Sequence, residues 1–189
     1  FNVTNAGEAT VQGLEVDGRW AVSEKVTLTG SAAYLDFNYD RFPNSQCYFG
    51  QVPNSPDFPG LCDVAGERKE YTPEFQANIG AAWSDTVAHN LLMSASLDLS
   101  YVGDYIYTPN LDPRTEQDAY TLVNARVALS SSEGDWQVAL IGRNLSDETV
   151  INFGGNTPLA GTLTGGAGNS YYAFVNRPRN VALQATYSF

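Results

Sequence analysis

The stretch that most constrains this chain is its closing one, residues 181–189, where a strict two-residue alternation runs to the last residue. Val181, Leu183, Ala185, Tyr187 and Phe189 fall on one side of an extended strand, and Ala182, Gln184, Thr186 and Ser188 on the other. Side chains of a strand alternate between its faces, so one face is apolar and the opposite one small and polar. A soluble domain seldom leaves such an apolar face without protein to cover it. A strand of a transmembrane barrel meets lipid on one face and a polar lumen on the other.

The same signal recurs along the chain. Strands are predicted over residues 9–21, 26–39, 71–84, 91–101, 118–130, 135–144 and 181–189. In the first, Leu14, Val16, Gly18 and Trp20 oppose Gly13, Glu15, Asp17 and Arg19; in the second, Val26, Leu28, Gly30, Ala32 and Tyr34 point together. The third sets Tyr71, Phe75, Ala77, Ile79, Ala81 and Trp83 against Thr72, Glu74, Gln76 and Asn78. The fourth is the cleanest, with Leu91, Met93, Ala95, Leu97, Leu99 and Tyr101 against Ser94, Ser96, Asp98 and Ser100. Tyr120 is out of phase with the apolar set of the fifth strand and is expected on the polar side. Connections alternate short and long, and the long ones are rich in Pro, Asn, Asp and Gly. The Gly-rich segment 146–177 reads as the last long loop, able to carry strand extensions. Tight turns at one end and long loops at the other are the loop asymmetry of an outer-membrane barrel.

The aromatic residues agree. Trp20, Trp83 and Trp136 sit where strands meet short turns, and Tyr34, Phe37, Tyr71, Phe75, Tyr101 and Tyr105 where strands meet long loops. Amphipathic rings prefer the level of lipid headgroups, and two such belts are hard to place in a soluble sandwich, whose large aromatics sit in mid-core. Composition narrows the reading. A net charge of −11 argues against nucleic acid as partner, since phosphates call for Lys and Arg. No apolar run reaches the length of a membrane-spanning helix. The fold class expected is therefore all-β: an antiparallel transmembrane β-barrel segment of about seven strands. An odd strand count does not suit a bacterial single-chain barrel. The chain, which begins with Phe1, is accordingly expected to be the C-terminal portion of a larger barrel.

Three stretches carry a family resemblance. Asn5-Ala-Gly-Glu-Ala-Thr-Val-Gln-Gly-Leu-Glu-Val-Asp17, Ile141-Gly-Arg-Asn-Leu-Ser-Asp-Glu148, and Arg177-Pro-Arg-Asn-Val181 running into Tyr-Ser-Phe189 resemble the late barrel strands of TonB-dependent outer-membrane receptors. The resemblance covers essentially the whole chain. It implies a barrel of about twenty-two strands with an internal plug, the plug and upstream strands having no counterpart here. It implies import of a scarce ligand such as a ferric siderophore, haem, cobalamin or a glycan, with energy supplied through the TonB complex by way of the plug. It further implies outer-membrane lipid as surroundings, in a Gram-negative cell, and recognition of the final strand, with Tyr187 and Phe189, by the barrel-assembly machinery. Gln184 departs from that final-strand pattern, which often has Gly there.

Nothing in the sequence calls for catalysis, a metal or a cofactor. His89 is the one histidine and falls in a predicted turn, which leaves no Ser/His/Asp or metal-histidine set to assemble. Glu15 and Asp17 share the polar side of a strand, where carboxylates are ordinary lumen residues. The Gly161–Gly168 run lacks the Gly-Lys-Ser/Thr ending of a phosphate loop. Cys47 and Cys62 lie in one long polar loop and are read as a disulfide, suited to an oxidising compartment and far from the ligand number and spacing of structural zinc. Recognition is left to loop aromatics: Tyr48, Phe49, Phe58, Tyr107, Phe153, Tyr171, Tyr172 and Phe174. Flat rings stack on sugars and aromatic chelators, and they also pack on one another to anchor loops; the sequence leaves both roles open. Two other functions compete with the importer: a passive small barrel or porin, which needs no plug, and a soluble β-protein binding an apolar ligand.

Overall fold

The computed structural model describes residues 7–189. In chain order its strands are β1 (Glu8–Ala21), β2 (Val26–Arg41), β3 (Phe75–Ala88), β4 (Leu91–Val102), β5 (Tyr105–Ile106), β6 (Glu116–Gln117), β7 (Tyr120–Ser131), β8 (Trp136–Arg143), β9 (Ile151–Asn156), β10 (Tyr171–Val175) and β11 (Asn180–Tyr187). A 3-10 turn at Pro113–Thr115 and a short helix α1 (Ala160–Leu163) complete the set. The predicted strands form one seven-stranded sheet in the order β1-β2-β3-β4-β7-β8-β11, every neighbour antiparallel. Asn5 and Ala6 of the first resemblance stretch lie outside the described residues.

Register carries the apolar stripe from strand to strand, because directly paired residues lie on the same face of a sheet. One continuous row runs Gly30↔Ile79 and Ile79↔Leu99, then Leu99↔Val123. A lower row runs Ala95↔Val127, Val127↔Leu140 and Leu140↔Leu183. On the opposite face Asp17 pairs with Ser31, Ser31 with Asn78, Asn78 with Ser100 and Ser100 with Leu122. Tyr120 pairs with Val102 on that polar face, as its phase predicts. Among the described residues no layer packs on either side of the sheet below the long loops, and Leu14, Ile79 and Leu183 are 71, 59 and 74% exposed. Its outer strands are each paired once, β1 with β2 and β11 with β8, so the sheet is open and has the form of part of a barrel.

Aromatic residues frame the apolar face. Tyr34 pairs with Phe75 and the Phe75 ring lies 5.9 Å from that of Tyr101, at the long-loop end. At the short-turn end Trp83 pairs with Val26 and Trp136 with Tyr187. From Phe75 to Trp83 the strand advances about 26 Å, which a barrel tilt reduces to roughly 20 Å, close to the apolar band of a barrel wall.

Beyond the upper frame the chemistry of the two faces reverses. On the side of Leu14 and Tyr34 the next residues are polar: Gln12 donates to Asp36 (2.9 Å) and Thr10 to Asp40 (2.6 Å). On the other side Val11 pairs with Phe37, and Phe37, Phe42 and Ile106 pack on the buried Tyr39, Val64 and Leu111. The hydrophobic core therefore sits among the long loops, not under the sheet. This corrects the upper belt expected from sequence. Phe37 points to the opposite face, and Tyr71 and Tyr105 pack on each other in the loops at 5.8 Å. Tyr71 does not open β3 but sits in a left-handed conformation (φ 56°), with its N–H donated to Ile106 O. Segment 146–177 is not merely a loop, since β9 and β10 pair as a hairpin.

Candidate ligand-binding surface

Loops 42–74, 103–119 and 144–179 all leave the same end of the sheet. The first is closed on itself by a Cys47–Cys62 disulfide with Cα atoms 5.0 Å apart, and Ser45 and Cys62 exchange backbone hydrogen bonds beside it. The bridge fixes the start of the Tyr48-Phe49 pair. Pro113 follows Asp112 in the second loop, and the Asp112 side chain accepts from Arg114 N, which caps the 3-10 turn and projects Arg114 back over its own carboxylate; Asp before Pro is a common opening for such a turn.

Arg114 and Asp112 form the hub of the loop end. Asp112 is fully buried. It accepts from Arg114 Nε at 2.8 Å and Nη2 at 3.0 Å, and from Tyr171 Oη at 2.6 Å. Arg114 Nη2 also donates to the carbonyl of Phe49. The guanidinium lies 5.7, 5.9 and 5.8 Å from the ring centroids of Tyr48, Phe49 and Tyr171, a range in which a cation is attracted to an aromatic face. Burial disfavours the charged form of Asp112, but the donors on Arg114 and Tyr171 outweigh it and hold the carboxyl below its ordinary value. Burial and the Asp112 acceptor push the Tyr171 hydroxyl up. The three loops are thus pinned together by one ion pair with an aromatic jacket. Thr108 and Thr115, both buried, are hydrogen-bonded at 2.5 Å just beneath it.

The aromatics singled out in the sequence divide into groups. Tyr48, Phe49 and Tyr171 enclose Arg114. Phe49 also covers Gly161, where a Cβ would come within 2.9 Å of its ring. Tyr107 is buried at 6% exposure and lies on Gly154, where a Cβ would meet its ring at 2.6 Å. Phe153, Tyr172 and Phe174 share one face of the β9–β10 hairpin, because Phe174 pairs with Phe153 and Tyr172 with Gly155. Their ring centroids are 6.0 to 6.2 Å apart. Phe58 stands apart on the first loop, 43% exposed. Tyr187 and Phe189 stack at 6.4 Å at the opposite end of the sheet. Arg114 and Asp112 were not among the sequence candidates; the Asp-Pro-Arg order is the signal that could have drawn attention to them.

A separate trough of about 370 Å³ runs along the polar face of the sheet, lined by Asp17, Arg19, Thr29, Ser31, Asn78 and Asp98 among others. Among the described residues no group of three or more His, Cys, Asp or Glu is arranged to hold a metal ion. The polar groups on this surface are set out for hydrogen bonding and stacking.

Three solved structures with the same architecture are receptors. The ferric yersiniabactin uptake receptor FyuA from Yersinia pestis superposes on 96% of this chain with a TM-score of 0.69 at 16% identity, the match covering 24% of that receptor. BauA, the ferric preacinetobactin receptor from Acinetobacter baumannii, matches 98% of the chain and 23% of its own length, with a TM-score of 0.63 at 19% identity. PiuA, a siderophore receptor from the same organism, matches 94% and 21%, with a TM-score of 0.63 at 17% identity. The chain thus spans about a quarter of the length of these receptors. No curated protein matches it. The family and these neighbours are receptors and not enzymes. The sequence matches the family described as TonB dependent receptor-like, beta-barrel, over residues 1–145, and the chain belongs to that family.

Proposed function

We propose that this chain is the C-terminal portion of the barrel of a Gram-negative outer-membrane receptor that imports a scarce ligand of the ferric-siderophore kind with energy from the TonB complex. The observation that carries the reading is the open, two-faced sheet: one face apolar and framed by aromatic rows, the other polar, with both outer strands paired once. In this reading the apolar face meets lipid and the polar trough lines the lumen. The three pinned loops face the cell exterior. A plug and the upstream strands, supplied by the rest of the protein, close the barrel and contact TonB. The chain contributes recognition without catalysis or a resident cofactor. Loop aromatics offer the ligand contacts, and the final strand with Tyr187 and Phe189 addresses the barrel-assembly machinery.

The test is uptake of radiolabelled iron, presented on a panel of chelators, by iron-starved cells with and without the parent gene. Loss of uptake of at least one chelate, restored by the gene and abolished when TonB is removed, is the expected result. Uptake of every chelate at the same rate in both strains would overturn the reading. A receptor that admits solute without TonB would replace it with the passive barrel.

A further inference from the structure

We infer that the ligand carried past this wall is neutral or cationic and is received by the ring faces of Phe153, Tyr172 and Phe174. This rests on the importer reading and specifies its ligand. One side of the β9–β10 hairpin is already occupied: Gly154 lies against Tyr107 and Tyr171 is bonded to Asp112. The opposite side presents the three rings as one surface, with Phe153, Tyr172 and Phe174 51, 36 and 64% exposed. Tyr172 and Phe174 pack edge to face and Phe153 is tilted against both; such a group offers flat faces and edges to an incoming molecule, and the faces attract positive charge.

Charge chooses the class of occupant. Most cations of the loop end are already neutralised: Arg41 by Asp57, Arg68 by Glu74 and Asp104, Lys69 by Glu70, Arg114 by Asp112 and Arg179 by Asp147, while Arg143 at the loop end of β8 has no ion pair among the described residues. Among the described residues of the three loops, Arg177 alone is a cation without an ion pair, against the carboxylates Asp63, Glu67, Glu116, Asp118 and Glu148. A polyanionic chelate would find few free donors here and a field of its own sign. A neutral or positively charged complex with apolar edges meets no such barrier.

The experiment uses the full-length receptor containing this chain, purified in detergent. Binding is measured by calorimetry for three probes: a neutral ferric trihydroxamate, a ferric trihydroxamate bearing a free ammonium group, and a trianionic ferric tris-catecholate. The expected order places both trihydroxamates at least about tenfold tighter than the tris-catecholate. The double variant Phe153→Ala with Phe174→Ala, both on exposed positions, is expected to weaken trihydroxamate binding by roughly tenfold with unchanged strand content and unchanged heat-modifiable mobility. Tightest binding of the tris-catecholate overturns the charge assignment and leaves the importer reading standing. Trihydroxamate binding unchanged in the double variant overturns the ring surface, and weaker association of that variant with lipid vesicles would then assign the rings to the membrane. Failure of all three probes to bind overturns this inference and leaves the importer reading to the uptake assay.

Discussion

Asp112 is where the three loops depend on a single carboxylate. Its folded-state affinity for a proton is reduced, since burial is outweighed by the donors on Arg114 and Tyr171, and the carboxyl lies below its ordinary 3.8. A group depressed in this way contributes stability that is present above the unfolded value and is lost as pH falls through the folded one. The loop cluster is therefore expected to loosen below about pH 4, and hydrogen exchange at Arg114 and Phe49 against amides of β4 would report it. Asp112→Asn should act the same way at neutral pH, weakening the cluster by about 1–3 kcal/mol, toward the low end because Arg114 is half exposed to solvent. Unchanged exchange in the loops of that variant would refute the hub, and equal loosening of the sheet would show that it is not local. The hub was invisible to sequence reading for a physical reason. Arg114 and Asp112 are two residues apart, but their partners Phe49 and Tyr171 lie 65 and 59 positions away, and no local period encodes a contact of that span. The grouping of the loop aromatics was not legible, since the exposure that separates Phe174 from Tyr171 depends on which side of the β9–β10 hairpin faces the neighbouring loops.

At the scale of elements, a period of two was enough to assign faces, because a strand has only two and a shift of one residue would move every apolar side chain into the wrong solvent. Ile79 and Asn78 make the sharpest pair of adjacent positions. Ile79 lies midway between Phe75 and Trp83 on the apolar face, paired with Gly30 and Leu99, while Asn78 lies between Ser31 and Ser100 on the polar one. Ile79→Arg is expected to cost about 2–4 kcal/mol if that row sits at the bilayer midplane, and Asn78→Arg far less, in refolding of the full receptor into bilayers. Equal costs would refute the assignment of faces. Boundaries were less legible where the surroundings change along a strand. Phe37, three residues past Tyr34, falls on the inner face by parity, and an apolar ring belongs there because above the aromatic frame the outer side meets water and the inner side meets protein. The β9–β10 hairpin was legible only as strand extensions of the last loop, since Ile151-Asn-Phe-Gly-Gly-Asn156 alternates over three residues and carries a single β-branched side chain. The disulfide was readable because both cysteines fall in one loop. Closing 15 residues is worth about 3 kcal/mol in the chain-entropy view, so Cys47→Ser with Cys62→Ser should expose loop 42–74 to protease while the sheet stays protected. Two free thiols by intact mass in the oxidised protein would contradict the bridge.

At the scale of the whole molecule, the sheet raises a question of closure. Strand β1 is hydrogen-bonded to β2 and strand β11 to β8, so each has a second edge of backbone N–H and C=O groups that this sheet leaves unpaired. In hydrocarbon each such group costs several kcal/mol, which rules out an open sheet as a stable spanning structure and requires further strands to satisfy both edges. The apolar face makes the same demand, because Leu14, Leu183 and Tyr187, all near the two edges, are 71, 74 and 69% exposed and need lipid on a closed wall. Phe189 is fully exposed and stacked on Tyr187 at the short-turn end. Residues 1–189 expressed alone and added to liposomes are therefore expected to give neither discrete conductance steps nor a heat-modifiable barrel band, whereas the full receptor gives the band. Deleting Phe189 in the full receptor should lower the amount folded in the outer membrane and leave ligand affinity of the folded fraction intact. A stable, closed monomeric barrel formed by residues 1–189 would mean that β1 and β11 can pair with each other, and it would favour a passive small barrel over a section of an importer.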